Sequence, residues 1–270
     1  MGFELAAYLR RIGVAEARRA DLATLTAIHT GHALAIPFEN FDIQRGLGIS
    51  LEPAAVHDKL VTRRRGGYCF EQNALLAWAL EAVGFRVTRL CGRVWIGKVT
   101  DGPPPRTHMT LMVELEGAAY LVDAGFGAHQ LLAPLPLVDG ATARQHAWEY
   151  ALERRGEGLF MLRTRRPEGW TDLYAFTLEP QHAIDFEVAN HYTATHPRSR
   201  FVTTLTAQRA TPTVRHTLRG ISYERMTAEA ATRRTLGSRA ELVALLDEVF
   251  GLALPDDVPL AFDAAELPRS

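Results

Sequence analysis

The hydrophobic period of this chain changes at Gly84, and no other feature restricts its fold as strongly. Before that point apolar residues recur at helical spacing. Leu22, Leu25 and Ile28 follow Asp21, a capping residue, and Pro37 closes the pattern. A short helix is expected after Ser50, with Pro53 tolerated in its first turn. A third begins near Cys69 and runs through NALLAWALEAV to Gly84, a C-terminal glycine. From Phe85 the texture is that of strands: FRVTRLCGRVWI, HMTLMVEL and AAYLVDAGFG, separated by the loop DGPPPRT and a turn at Glu116 and Gly117. Strand-like runs continue around Trp148 to Arg163 and Tyr174 to Leu178, and the middle of the chain reads as an antiparallel sheet or barrel. After Pro197 the runs FVTTLTAQ and TVRHTLRG again read as strands, and Ser238 with Glu241 at capping-box spacing announces a helix ending near Gly251. A helical segment followed by antiparallel strands predicts an α+β fold.

With 270 residues, 47% of them hydrophobic, the chain can bury a substantial core as one large domain or a few small ones. A formal charge of -1 argues against nucleic-acid binding driven by net charge, although arginines at 63 to 65 and 163 to 166 remain available for small anions. The N-terminal MGFELAAYLRRIG lacks the uninterrupted apolar core of a signal peptide, and no segment is apolar for long enough to span a membrane. Two cysteines allow at most one disulfide, a poor framework for a secreted chain, so a reducing cytoplasmic compartment is expected.

One of those cysteines sits in an unusual place. In RRRGGYCFEQN, Cys69 stands behind two glycines and an arginine run, where a helix starts. A helix N-terminus and a nearby cation both favour the thiolate, and the glycines would supply a tight turn and room for a substrate. The competing reading is a small buried hydrophobe, which is how Cys91, inside an apolar strand, is read. A nucleophilic cysteine also needs a base and a group that orients the base. Of the ten histidines, His108 stands out by geometry. If Glu116 and Gly117 alone form the hairpin turn, Leu115 faces Ala118, His108 faces Gly125, and Asp123 becomes a diagonal neighbour on the same face, within reach of the imidazole Nδ1. A three-residue turn would put His108 and Asp123 on opposite faces. The AGFGA that follows Asp123 either points backbone N–H groups at an anion or is a plain glycine-rich turn. His29 and His32 lack the partners of a metal site, so no metal is expected, and Asp256 with Asp257 reads as a solvated turn.

Several motifs in order carry a resemblance to the arylamine N-acetyltransferase family. IPFENFD (36 to 42) is similar to its PFEN segment and RGGYCFEQN (65 to 73) to its RGGxC motif. THMTLMV, YLVDAGFG and NHYTATHPRSRF (190 to 201) are similar to its later blocks, so the resemblance spans about residues 3 to 201. It implies a papain-like core with Cys69 as nucleophile, His108 as base and Asp123 as the orienting carboxylate. It also implies a helical bundle over 1–84, an antiparallel β-barrel over 85–190 and an α/β lid over 191–270. By position, Phe38, Thr107, Gly125, Phe126 and Phe201 would line an acceptor pocket. The loop of Gly125, Phe126, Gly127 and Ala128 would lie near the coenzyme A pyrophosphate, and Arg65 with Glu39 would form a supporting ion pair. The implied activity is acetyl transfer from acetyl-CoA, a co-substrate and not a tightly bound cofactor, to arylamines, hydrazines or N-hydroxyarylamines through an acyl-cysteine. Neither nucleic acid nor membrane is an expected partner. Two rivals remain: an amide synthase, which uses the same triad to close a macrolactam from a carrier-bound polyketide, and a thiol hydrolase or peptidase, which shares the Cys and His and lets water attack the acyl-enzyme.

Overall fold

The structure is a computed structural model that describes residues 2–97, 102–156 and 158–260. Asp101, which opens the expected DGPPPRT loop, and residues 261–270 of the expected lid lie outside the described residues. The N-terminal part is built from α1 (Leu5–Ile12), α2 (Leu22–Ala35), a two-residue strand β1 (Phe38–Glu39), the short α3 (Phe41–Gln44) and α4 (Pro53–His57), and α5 (Cys69–Val83). Asp21 caps α2, its Oδ1 accepting the Thr24 N–H at 2.8 Å, and Pro53 occupies the first turn of α4, which continues as a π turn over Asp58–Thr62. Helix α5 is apolar on nearly every side because it is enclosed on nearly every side. Leu75, Leu76 and Leu80 share one cluster with Leu25 and Ile28 of α2 and with residues of the strands that follow. Gly84 ends it with a left-handed φ of +105°.

Eight antiparallel strands follow: β2 (Arg86–Val94), β3 (Arg106–Leu115), β4 (Ala118–Val122), β5 (Leu135–Pro136), β6 (Thr142–Gln145), β7 (Trp148–Arg154), β8 (Leu159–Arg166) and β9 (Gly169–Thr177). Their spatial order is β5-β4-β3-β2-β9-β8-β7-β6. The two edges meet through Gln145 at the end of β6. Its Oε1 accepts the N–H groups of Leu132 and Ala133, just before β5, and its Nε2 donates to the Ala133 carbonyl. The sheet therefore curls into a nearly closed barrel. The β3–β4 hairpin has the expected two-residue turn. Glu116 and Gly117 both adopt positive φ, +51° and +81°, and Leu115 faces Ala118.

After the barrel come α6 (Ala183–Thr195), α7 (Arg200–Thr203), β10 (Thr206–Ala210), β11 (Arg215–Arg219), β12 (Ser222–Met226), β13 (Ala231–Thr235) and α8 (Arg239–Leu245). The run FVTTLTAQ, expected as strand, starts as helix α7 and becomes strand only at Thr206, because Ser199 Oγ accepts the Phe201 N–H and begins a helical turn. Ser238 caps α8 through the Glu241 N–H at 3.2 Å, and the helix extends through a π turn to Gly251. The second sheet runs β1-β10-β11-β12-β13, so an N-terminal strand is an edge of the C-terminal sheet. Asn40 joins the two parts: Nδ2 donates to the carbonyls of Phe201 and Thr204, and Oδ1 accepts the Thr206 N–H. Asp257, exposed at a turn, also reaches back to Arg45 at 2.7 Å. The α+β class expected from the change of period is the class observed.

Candidate active site

Cys69 is the first residue of α5, and the segment before it is fixed by close packing. A Cβ on Gly66 would lie 2.2 Å from the Pro37 carbonyl oxygen, and one on Gly67 would lie 2.7 Å from Glu71 Oε2. Neither glycine has a positive φ. The pair is therefore required by the approach of the chain to β1 and Glu71, rather than by turn freedom or substrate access. The Gly67 carbonyl accepts the Glu39 N–H at 3.2 Å, and Gln72 Nε2 donates to the carbonyls of Pro37 (2.9 Å) and Gly67 (3.2 Å).

The arginine run does not serve the sulfur. Arg63 pairs with Asp58, and Arg65 bridges Glu39 Oε1 and Asp42 Oδ1, each at 2.7 Å. Lys59, buried below this cluster, holds Glu71 at 2.8 Å and Asp42 at 2.9 Å, so its pKa is raised despite burial. The expectation of a thiol ionised by neighbouring cations is thus corrected. Burial pushes the Cys69 thiol up, the Met109 and Phe70 N–H groups offset only part of this, and the negative charge of Asp123 adds to the rise. Its Sγ lies 3.6 Å from the Thr107 carbonyl oxygen, the geometry of a thiol donating its proton. Cys91 is buried in β2 and pushed up to about 11, mainly by burial.

His108 and Asp123 do meet, at 2.6 Å and fully buried, but through Nε2 and not Nδ1. The β3–β4 ladder ends at Leu111 and Val122, and His108 faces Gly92 of β2. Asp123 leaves the hairpin and turns toward α5. There Asn73 Nδ2 (2.8 Å) and the Gly125 N–H (2.9 Å) both donate to its Oδ1, and Oδ2 is left for the imidazole. Burial alone would raise the Asp123 carboxyl; His108, Asn73 and Tyr174 outweigh it and hold the group below its ordinary value. A carboxylate at Nε2 places the ring proton there and leaves the Nδ1 lone pair for the cleft that His108 and Cys69 both line. Phe126 stands edge-on to the imidazole at 4.9 Å and Tyr174 packs on it at 4.6 Å, so the ring has little freedom to turn.

That cleft is also lined by Phe38, Thr107, Phe126 and Phe201, four of the five pocket residues the resemblance implied. Gly125 instead packs behind it, where a Cβ would lie 2.6 Å from Asn73 Nδ2 and 3.0 Å from the Cys69 Cα. In the loop expected near a pyrophosphate, Gly127 has a left-handed φ of +65°, and the Ala128 N–H already donates to Gln208 Oε1 at 2.9 Å. Sequence reasoning did not single out Asn73, Lys59, Tyr174 or His129. Asn73 was the accessible one, since it lies one helical turn after Cys69 on the same face. Among the described residues no helix is long and apolar enough to cross a membrane.

A family model described as N-acetyltransferase matches residues 21–258. An arylamine N-acetyltransferase of Mycolicibacterium smegmatis is 41% identical over 260 residues, covering 95% of this chain and 94% of its own. A solved structure of an M. smegmatis arylamine N-acetyltransferase superposes with a TM-score of 0.89 at 39% identity, over 97% of both chains. The Mycobacterium marinum enzyme, solved in complex with CoA, gives 0.87 at 35% identity over 92% of both.

Proposed function

This chain belongs to the arylamine N-acetyltransferase family, a family of acyltransferases, and we propose that it moves an acetyl group from acetyl-CoA to an aromatic amine by way of Cys69. Cys69 Sγ attacks the thioester carbonyl while its proton passes to His108 Nδ1. Proton transfer and attack are coupled, because burial disfavours a lone thiolate whereas the imidazolium that forms is stabilised by Asp123. The carbonyl re-forms, the carbon–sulfur bond to coenzyme A breaks, and the leaving thiolate takes the proton back from His108. One thioester has replaced another, so the step is nearly neutral in energy. An arylamine, hydrazine or N-hydroxyarylamine then attacks acetyl-Cys69, His108 takes its proton, and the Cys69 thiolate departs and is reprotonated.

The observation that carries this reading is the placement of Cys69 and the Asp123-bound His108 in one cleft with three phenylalanine rings, which offer flat apolar contact to an aryl group. Coenzyme A is assigned to the Gly125–Ala128 turn, which borders the cleft through Phe126. That Cys69 and Cys91 are both free thiols supports a reducing, cytoplasmic location. Cys69→Ala is expected to abolish transfer from acetyl-CoA to aniline with an unchanged far-ultraviolet circular dichroism spectrum; retained turnover would refute the role of the sulfur.

A further inference from the structure

Phe201, one of the rings on the cleft wall, belongs to α7, a single turn of four residues none of which is buried. A turn this short does not hold itself, because closing it costs more backbone entropy than its own hydrogen bonds return. Its carbonyls end on side chains instead. The Phe201 carbonyl accepts from two amides at once, Gln44 Nε2 at 2.6 Å and Asn40 Nδ2 at 2.7 Å. The same two nitrogens also donate to the carbonyls of Val202 (3.1 Å) and Thr204 (2.9 Å), so every N–H of both amides is spent on residues 201 to 204.

The segment that supplies these amides also holds the turn before Cys69. The Glu39 N–H donates to the Gly67 carbonyl, Asp42 pairs with Arg65 and Lys59, and Lys59 reaches on to Glu71 of α5. Ile43 is buried in one apolar cluster with Phe38, Tyr68 and Cys69, against which Phe201 and Val202 pack. Residues 38 to 44 are thus tied to the sulfur at one set of contacts and to Phe201 at another. The Phe201 ring lies 5.7 Å from Phe38 and stands edge-on to Tyr68 at 5.9 Å, and Tyr68 immediately precedes Cys69.

We propose that Gln44, together with Asn40, is a positioning residue of the transfer: by clamping the α7 carbonyls it sets the Phe201 ring at a fixed distance from Cys69, so that an aryl group is seated in register with the acetyl-cysteine. Gln44 is not among the side chains that line the cleft, and it acts only through the backbone of α7. A misplacement of about 1 Å at such a remote support can cost about 100-fold in rate, which makes the clamp measurable. Gln44 is also the cleaner of the two amides to change, because Asn40 Oδ1 accepts the Thr206 N–H and its loss would disturb β10 as well. The inference rests on the transferase reading.

The test is steady-state kinetics of wild type, Gln44→Met, Phe201→Ala and the double variant, with acetyl-CoA as donor and either aniline or hydrazine, which has no ring, as acceptor. Gln44→Met keeps the length of the side chain and removes both donors; Gln44→Glu, which has no hydrogen to donate at pH 7.5, gives the same prediction should the methionine variant fail to fold. The aniline to hydrazine ratio of kcat/KM is expected to fall about tenfold, chiefly through KM for aniline. Acetylation of Cys69 by acetyl-CoA alone should stay within about twofold, and Gln44→Met should add no further fall in the Phe201→Ala background, since both act through one ring. An equal fall for both acceptors, or a fall that adds to that of Phe201→Ala, is what a merely structural role gives and overturns the proposal. Amide hydrogen exchange read by mass spectrometry needs no turnover and separates the two readings. If wild type acetylates neither acceptor the transferase reading fails, yet exchange at least tenfold faster over residues 199 to 205 in Gln44→Met still supports the clamp. Unchanged exchange there overturns it.

Discussion

Acidification should destabilise this fold well above the pH at which carboxylates titrate, through two imidazoles inside the helical bundle. His29 and His32 are fully buried on α2, and burial, the largest influence on each, pushes His29 down to about 4 and His32 to about 3 from an ordinary 6.5. His32 is built to be neutral. Gln72 Nε2 is spent on backbone carbonyls, so Oε1 must accept the His32 Nε2–H at 2.7 Å, and the Tyr8 hydroxyl lies 2.8 Å from Nδ1. Both folded pKa values are depressed for a base. The unfolded chain therefore binds protons that the folded chain refuses, and stability falls as pH drops below about 6.5 and levels off only near 3 to 4. At pH 5 the unfolded state gains about 2 kcal/mol from each ring relative to pH 7.5, or roughly 4 kcal/mol from both, against a typical total of about 5–15 kcal/mol. His129, also depressed by burial and by Arg215, acts in the same direction. Thermal melts at the two pH values should differ by roughly 8–16 °C. His32→Gln should melt lower at pH 7.5 but lose about half of the pH dependence. A flat melting profile from pH 7.5 to 5, or an undiminished slope in His32→Gln, would refute the assignment of these rings as buried and neutral.

Lys59→Met removes the cation between Glu71 and Asp42 and leaves one buried and one partly buried carboxylate short of a partner, so a loss of about 3–5 kcal/mol is expected in denaturant unfolding. A loss below about 1 kcal/mol would mean that the cluster does not brace the turn before Cys69. Asn73→Ala takes one hydrogen bond from Asp123 and others from the Met109 carbonyl and the Ala124 N–H, and should lower kcat/KM by about 10- to 100-fold with a smaller change in melting temperature. An unchanged rate would contradict the role of Asn73 in orienting the carboxylate.

Local signals carried much of this. The capped starts at Asp21 and Ser238, the glycine stop at 84 and the two-residue turn at Glu116 and Gly117 are all determined within a few residues, and all are where local rules put them. The meeting of His108 with Asp123 was legible only in outline: the two-residue turn sets the hairpin register, but the ladder ends at Leu111 and Val122, and His108 faces Gly92 rather than the expected Gly125. What escaped depends on contacts between distant segments. Asp123 reaches Nε2 because Asn73, fifty residues earlier, pulls it out of the hairpin. The double glycine before Cys69 is required by Pro37 and Glu71, which no local pattern reveals. The arginine run looked like an activator of the thiol because Asp42 and Asp58 were not visible as its partners in the local sequence; Glu39 was named as a partner of Arg65 by the resemblance alone.

Intact-protein mass spectrometry after incubation with acetyl-CoA and no amine tests the role of Cys69 most directly. The chain should gain one acetyl mass, mapped by peptide fragmentation to Cys69 and not to Cys91, and addition of aniline should discharge it with formation of acetanilide. An unmodified Cys69 under conditions that give turnover, or an acetyl group that aniline fails to remove, would show that the sulfur does not carry the acetyl group.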